Sequence, residues 1–168
     1  LYYNKVKKRV SKQEVNIDTF FYPLDSIGHW NRIYGRHGFV QYQFILPKEV
    51  SYKGLEEILS VISKSGKGSF LAVLKLYGKV NDNWLSFPIE GYSLALDFKV
   101  EKGLFKLLDK LDEIVVKYEG RIYLTKDARV SKEVFEKGYS KIDVFRQYRK
   151  ENQMNVKFQS LQSKRVDI

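Results

Sequence analysis

Apolar and polar residues alternate in three long segments of the chain, which predicts three β-strands. The run FVQYQFIL, which starts at Phe39, places every second side chain on the same face and is ended by Pro47. The runs SFLAVLKLYG, from Ser69, and GYSLALDFKV, from Gly91 within the segment WLSFPIEGYSLALDFKV, alternate in the same way. The shorter run RIYL at 121–124 predicts a fourth, final strand.

The segments that separate these strands have the periodicity of amphipathic helices. After Ser51, which can cap a helix, apolar residues recur at i, i+3, i+4 and i+7, and the pattern ends near Gly66. A second apolar stripe of about four turns starts at Leu104 and ends at Gly120. The polar side of this second helix is predicted to face solvent and carries Asp109, Asp112 and Glu113.

The segment before the first strand is predicted to be irregular. Residues 1–18 form a predicted basic arm with little apolar periodicity. The aromatic stretch TFFYPLDSIGHWNRIYG that follows is interrupted by one proline and two glycines, which exclude one continuous element. We therefore predict a packed loop that contains one short helix near Ser26 to Tyr34.

The segment after the last strand is predicted to be helical. Residues 131–136 and 141–150 each predict a short helix, and the C-terminal QSLQSKRVDI predicts a polar tail. The chain is accordingly divided into three predicted parts: an arm with an aromatic loop at 1–35, a sheet domain at 36–120 and a C-terminal segment at 121–168.

The order strand, helix, strand, hairpin, strand, helix, strand predicts an α+β fold of the ferredoxin-like split βαβ type with a helical C-terminal addition. In this topology the first and third strands are central neighbours, and both helices cover one face of an antiparallel sheet. The more apolar strand faces are expected beneath the helices, with Phe70, Leu74 and Leu76 of the second strand among them. The uncovered face is predicted to carry Gln41, Gln43, Lys75, Tyr77, Ser93, Ala95 and Asp97.

Two interpretations of this uncovered face fit the alternation. A sheet with helices on one side often shows polar residues to water on the other. Here, however, the polar residues are surrounded by apolar ones, namely Phe39, Ile45, Leu71 and Val73. An apolar surface that holds a few hydrogen-bonding groups and one cation is typical of a ligand pocket or a domain interface.

The amino-acid composition excludes several kinds of functional site. The 168 residues include no cysteine, which excludes disulfides, thiolate metal sites and thiol nucleophiles, and only two histidines, so we expect no metal site. No segment has the roughly 20 apolar residues of a membrane helix, and LYYNKVKKRV lacks the apolar core of a signal peptide. For the localisation of the protein, the sequence leaves two alternatives: the cytoplasm, or association with either surface of a membrane. Because the chain starts at Leu1, we expect a piece of a longer polypeptide.

The formal net charge of +10 raises the possibility of nucleic-acid binding. RNA-recognition modules share the predicted strand order and stack bases on aromatic residues of the third strand. Here the third strand places Ser93, Ala95 and Asp97 on the uncovered face instead. Nucleic acid is therefore the less favoured partner, and an interaction domain without catalysis is a further alternative.

Several motifs occur together in a specific order: YPLD followed by WNRIYG, then QYQF, KLYG, LSFPI and GRIYLTKDAR. From about Phe20 to its end, the chain resembles the C-terminal half of FAD-linked oxidases of the vanillyl-alcohol-oxidase type, and within them the decaprenylphosphoryl-β-D-ribose 2-oxidase family. The resemblance implies an FAD-dependent oxidoreductase that oxidises a secondary alcohol of a sugar or lipid-linked sugar, such as a polyprenyl-phosphate pentose. It also implies that FAD is bound mainly by a separate FAD-binding domain of the same polypeptide, on which 121–168 packs. This chain alone is then expected to be inactive, and the reoxidant is left open between oxygen, a quinone and a reductase partner.

The resemblance also implies roles for individual residues. Lys126 and Tyr123 correspond to positions near the flavin, and Lys126 is expected to stabilise negative charge that develops on it. Lys75 is expected to orient the substrate hydroxyl or phosphate, or to act as a base where burial lowers the pKa of its amine. The substrate side is implied to comprise Gln41, Gln43, Lys75, Tyr77 and Ala95, with Phe21, Leu24 and Trp30 as its aromatic and apolar wall.

One of these positions differs from the family, and two of them have another interpretation. Ala95 stands where mycobacterial members of the family have a cysteine that covalent inhibitors attack, so insensitivity to such compounds is expected. Without the resemblance, Lys126 reads as an exposed lysine after a strand. Lys75 reads as a lysine that discourages pairing at the edge of a sheet.

Overall fold

The computed structural model describes residues 14–22, 25 and 27–168. The described residues fall into two units, the first ending at Ile33 and the second running from Tyr34 to Ile168. Most of the predicted basic arm and Leu24 lie outside the described residues. In the first unit a short helix, α1 (Ile17–Phe21), was not predicted; Asn16 caps it by accepting a hydrogen bond from the Asp18 amide at 2.8 Å. The helix predicted near residues 26–34 is a shorter 3-10 helix, Trp30–Tyr34.

Four strands form the sheet of the second unit: β1 (Phe39–Pro47), β2 (Ser69–Tyr77), β3 (Gly91–Lys99) and β4 (Arg121–Ile122). Their spatial order is β2-β3-β1-β4, and every neighbouring pair is antiparallel. The predicted α+β fold and the central position of the first and third strands are confirmed. The fourth strand is shorter than the predicted run of four residues.

Two long helices, α2 (Lys48–Ser65) and α3 (Leu104–Lys117), pack over β1, β3 and β4 as the apolar stripes predicted. The predicted cap of α2 is wrong by one turn, because the helix starts directly after β1, with Pro47 at its N-cap. Ser51 lies inside the first turn, where its hydroxyl donates to the carbonyl oxygens of Leu46 at 2.9 Å and Pro47 at 2.7 Å. This hydroxyl therefore bonds to carbonyl groups and does not cap a helix amide.

The C-terminal segment is helical, as predicted. After β4 come a 3-10 turn (Leu124–Lys126), α4 (Lys132–Gly138), α5 (Ile142–Glu151), α6 (Met154–Lys157) and α7 (Leu161–Val166). The predicted polar tail contains α7, whose Val166 is fully buried in the core. Among the described residues, no helix has the length and hydrophobicity needed to cross a bilayer.

The hydrophobic core lies between the sheet and the helices. Phe44 and Leu46 of β1, Leu96 and Phe98 of β3, and the apolar stripe of α3 are buried in it. The C-terminal segment adds further side chains to the same core: Val130, Phe135, Tyr139, Ile142 and Val166. Burial of these apolar side chains links the last 48 residues of the chain (121–168) to the sheet.

Strand β2 departs from the predicted faces. One face of this strand was expected beneath the helices, but its Phe70, Leu74 and Leu76 are exposed, because α2 and α3 cover β1, β3 and β4 and do not extend over this edge. A β-bulge between Ser69 and Ala72 also changes the direction of Phe70, whose ring centroid lies 5.3 Å from that of Tyr34. An alternation pattern cannot show a bulge, so the predicted face of Phe70 is wrong.

The polar side of α3 contains one residue that does not face solvent. Asp112 is buried; it accepts a hydrogen bond from the Tyr42 hydroxyl at 2.9 Å and forms an ion pair with Arg129 at 2.7 Å. Burial raises the pKa of Asp112, whereas Arg129 and Tyr42 oppose that shift. Burial, together with the Asp112 carboxylate, also raises the pKa of Tyr42. The predicted solvent exposure of Asp112 is therefore wrong.

Candidate functional site: the open face of the sheet

The face of the sheet opposite α2 and α3, here called the open face, brings the predicted polar residues into register. Pairing of β1 with β3 places Gln41 opposite Asp97 and Gln43 opposite Ala95. On the other side of β3, Lys75 is opposite Ser93. The period of two along each strand gives these residues one common face.

A chain of hydrogen bonds crosses the open face from the first residues of the second unit to the 3-10 turn after β4. Lys126 Nζ donates to Gln41 Oε1 at 2.5 Å, and Gln41 Nε2 donates to Asp97 Oδ1 at 3.1 Å. The hydroxyl of Tyr34 donates to Asp97 Oδ2 at 3.3 Å. Burial and the Asp97 carboxylate raise the pKa of Tyr34 to about 12, so its hydroxyl stays a donor at neutral pH.

The second polar pair of the open face is buried by the chain itself. Gln43 Nε2 donates to Ser93 Oγ at 3.0 Å, and both residues are shielded from solvent. At this end of the face, the Phe87 ring lies 4.4 Å from that of Tyr123 and 6.1 Å from that of Tyr77. The segment before β3 therefore covers part of the face that was predicted to be uncovered.

The remaining strip of the open face is accessible. Lys75 is exposed, and among the described residues its ammonium has no hydrogen-bond or ion-pair partner. Ala95, Tyr77 and Lys126 are half-buried. The strip thus presents one free ammonium and one ammonium anchored to an amide, beside small and aromatic side chains.

The turn that carries Lys126 is held by the C-terminal helix. Asp127, whose side chain is buried, accepts hydrogen bonds from the backbone amides of Arg129 at 2.8 Å and Val130 at 2.7 Å, and forms an ion pair with Arg165 of α7. Gln162 of α7 donates to the Leu124 carbonyl at 2.7 Å. These contacts fix the backbone on both sides of Lys126.

Sequence reasoning missed four of these polar residues as parts of the site. Asp97 was predicted to be on the open face but had no assigned role, and Tyr34 had none either. Arg165 was expected to contact a separate domain and not the turn that carries Lys126. Asp127 lies inside the motif GRIYLTKDAR, so its position next to Lys126 was a usable signal. No local pattern signals the pairing of Arg165 with a residue 38 positions away.

Phe21 and Trp30 were predicted to form the aromatic wall of the substrate pocket. Phe21 lies in α1, is exposed and packs its ring edge-on against Phe20 at 5.2 Å; Trp30 starts the 3-10 helix. Their place in a substrate pocket stays a prediction. Among the described residues, no group of three or more His, Cys, Asp or Glu side chains could hold a metal ion.

Comparison with known proteins gives several similar sequences, of which two are described below, and no protein-family model matches the chain. Decaprenylphosphoryl-β-D-ribose oxidase of Mycolicibacterium smegmatis is 39% identical over 153 residues, which are 91% of this chain and 33% of that protein. A protein of Streptomyces coelicolor described as an uncharacterized protein in the mprA 5′ region is 35% identical over 96 residues, 56% of this chain and 26% of that protein. The chain spans about a third of the length of the oxidase and matches its C-terminal part. The chain is therefore a relative of the C-terminal part of the decaprenylphosphoryl-β-D-ribose oxidases, which confirms the resemblance that its motifs predicted.

Proposed function

We propose that this chain is the substrate-facing part of an FAD-dependent oxidoreductase that oxidises a secondary alcohol of a sugar, with a polyprenyl-phosphate pentose as the substrate. The observation that carries the proposal is the Lys126 ammonium held on the open face by Gln41, in a chain similar to an enzyme named as an oxidase of a decaprenylphosphoryl ribose. We further propose that the rest of the flavin site belongs to an FAD-binding domain of the same polypeptide.

The side chains of the open face fit the polar edge of a flavin ring, which presents carbonyl oxygens and ring nitrogens. An ammonium has three donor hydrogens, and among the described residues Lys126 uses one of them, on Gln41. Tyr123, half-buried near this turn, provides an aromatic surface beside it. We assign Lys126 and Tyr123 to the flavin, and the accessible strip with Lys75, Tyr77 and Ala95 to the substrate.

The proposed chemistry divides between two lysines. A bound flavin supplies the acceptor for the hydride that leaves the alcohol carbon. The Lys126 ammonium stabilises the negative charge that develops at the flavin edge, and a half-buried position makes this stabilisation stronger than in water. Lys75, which is free of protein partners among the described residues, orients the hydroxyl or phosphate oxygen of the substrate. Because Lys75 is exposed, it lacks the burial on which a role as the base depended, and the hydroxyl proton passes to the solvent that reaches this strip.

The test uses the full-length polypeptide that contains this sequence, purified with its flavin. Lys126→Ala and Lys75→Ala are each expected to slow substrate-dependent loss of flavin absorbance by about 10²-fold or more while the flavin stays bound. Lys53→Ala, on the exposed surface of α2, is the matched control and should react at the normal rate. Absence of flavin from the full-length protein, or normal rates in both variants, would contradict the proposal.

A further inference from the structure

Asp97 occupies an unusual electrostatic position for a buried carboxylate. It is only 3% exposed, and no lysine or arginine among the described residues forms an ion pair with it. Its two oxygens are instead satisfied by the neutral donors Gln41 and Tyr34. Burial of a carboxylate without a cation is costly, so this arrangement calls for a compensating role beyond packing.

The nearest cation in this hydrogen-bond network reaches Asp97 through one amide. Gln41 donates to Asp97 with its nitrogen and accepts from Lys126 with its oxygen. The opposite orientation of the amide would place its oxygen against the carboxylate and its NH₂ group against the ammonium, and both contacts would be repulsive. The charge on Asp97 therefore selects the orientation of Gln41 that offers Lys126 an acceptor.

We propose that Asp97 is a positioning residue for Lys126 that acts through Gln41. The inference rests on the proposed function, in which the Lys126 ammonium faces the flavin, and it explains how that ammonium keeps one place on the open face. Tyr34 completes the arrangement by holding the second carboxylate oxygen and leaving the first one for Gln41. Each donor in such a chain polarises the next, which strengthens the contact to Lys126.

The position of the Lys126 ammonium can be measured without flavin or substrate, by competitive acetylation of this chain with a trace of acetic anhydride. Peptide mass spectrometry gives the rate at Lys126 relative to Lys75, whose free ammonium is an internal reference on the same face. Asp97→Asn is expected to raise this ratio about fivefold, the factor for loss of one ordinary hydrogen bond. Gln41→Leu is expected to raise it by a similar factor.

The double variant separates positioning from a merely structural role. If Asp97 acts through Gln41, Asp97→Asn changes the ratio less than about twofold in the Gln41→Leu background. Additive effects of the two substitutions, or an unchanged ratio in folded Asp97→Asn, would overturn the proposal. Thermal unfolding by circular dichroism checks folding, and Asp97→Glu, which displaces the carboxylate by one methylene, replaces Asp97→Asn in the cycle if the latter does not fold.

The acetylation experiment and the flavin experiment can fail separately. Absence of flavin from the full-length protein would overturn the oxidoreductase assignment and leave the contact between Asp97, Gln41 and Lys126 standing. Uncoupled acetylation ratios would overturn the positioning role of Asp97 alone.

Discussion

Leu74 and Leu94 face each other across β2 and β3, but Leu74 is 56% exposed and Leu94 is 6% exposed. The difference arises because α2 covers β3, α3 covers β1 and β4, and the edge strand β2 is left open on the same face. Two leucines that are paired on neighbouring strands thus differ in environment: Leu94 lies in the core and Leu74 on the surface.

This pair makes a matched test of the fold. Leu94→Ala is expected to lower the free energy of unfolding by about 2–5 kcal/mol, because it leaves a cavity in the core. Leu74→Ala is expected to change it by no more than about 0.5 kcal/mol, since little packing is lost. Urea unfolding followed by circular dichroism measures both values. Equal losses in the two variants would show that β2 is covered and that the exposed edge is wrong.

Alternation predicts which side chains share a face, and for β1 and β3 this was sufficient. The period of two is a property of the strand itself, so Gln41 and Gln43 had to lie on one side and Phe44 on the other. Whether a face is covered depends on the reach of elements that are distant in sequence. This is why the exposure of Leu74 and the cover that Phe87 contributes were not predicted.

In the candidate site, too, local patterns predicted some contacts, and others depend on elements that are distant in sequence. Residues on adjacent strands, such as Gln41 and Asp97, could be placed together from topology. Lys126 is 85 positions from Gln41, and only the family resemblance pointed to it before the structure showed their hydrogen bond. Its neighbours Asp127 and Arg165 depend on the packing of α7, which no periodicity predicts.

Asp112 makes a prediction about pH. Its pKa is raised in the folded protein above the ordinary value of 3.8, so the folded state binds a proton more tightly than the unfolded state does. Stability from this group is full below pH 3.8 and is lost as pH rises through the raised pKa. The free energy of unfolding of the wild type relative to Asp112→Asn is therefore expected to fall over that interval.

Glu57 provides a control of opposite sign. Hydrogen bonds from Lys117 and Tyr118 lower the pKa of this carboxyl below its ordinary value of 4.5. The stability it contributes is present above pH 4.5 and is lost as pH falls through the lowered pKa, so the wild type is expected to gain relative to Glu57→Gln as pH rises. Urea titrations at several pH values measure both differences. The same sign for the two carboxylates would contradict the buried position of Asp112.

Arg165 is expected to hold the turn that carries Lys126. Besides its ion pair with Asp127, its guanidinium donates to the Val130 carbonyl at 3.1 Å and the Ala128 carbonyl at 3.0 Å. Arg165→Met removes these contacts, and hydrogen exchange at the Arg129 and Val130 amides is expected to become about tenfold faster or more.

The neighbouring Lys164 supplies the control for this prediction. It is exposed on the same helix, so Lys164→Ala should leave the exchange of both amides unchanged. NMR exchange measurements under native conditions report the two amides individually. Unchanged protection in Arg165→Met would show that the backbone of this turn is held without α7, and that Asp127 alone suffices.

Ala95 and Ser93 allow the accessible strip of the open face to be mapped by chemistry. Both point to the open face, but Ala95 is half-buried whereas Ser93 is fully buried. Because the sequence contains no cysteine, Ala95→Cys and Ser93→Cys each introduce a single thiol. We expect iodoacetamide to modify the thiol at position 95 at least about tenfold faster than the thiol at position 93, which reacts only when the structure opens locally.

Mass spectrometry of the intact protein gives both modification rates, and a denatured sample should give equal rates. Equally slow modification of the two folded variants would show that position 95 is closed to a small reagent, and the substrate strip proposed beside it would then be wrong.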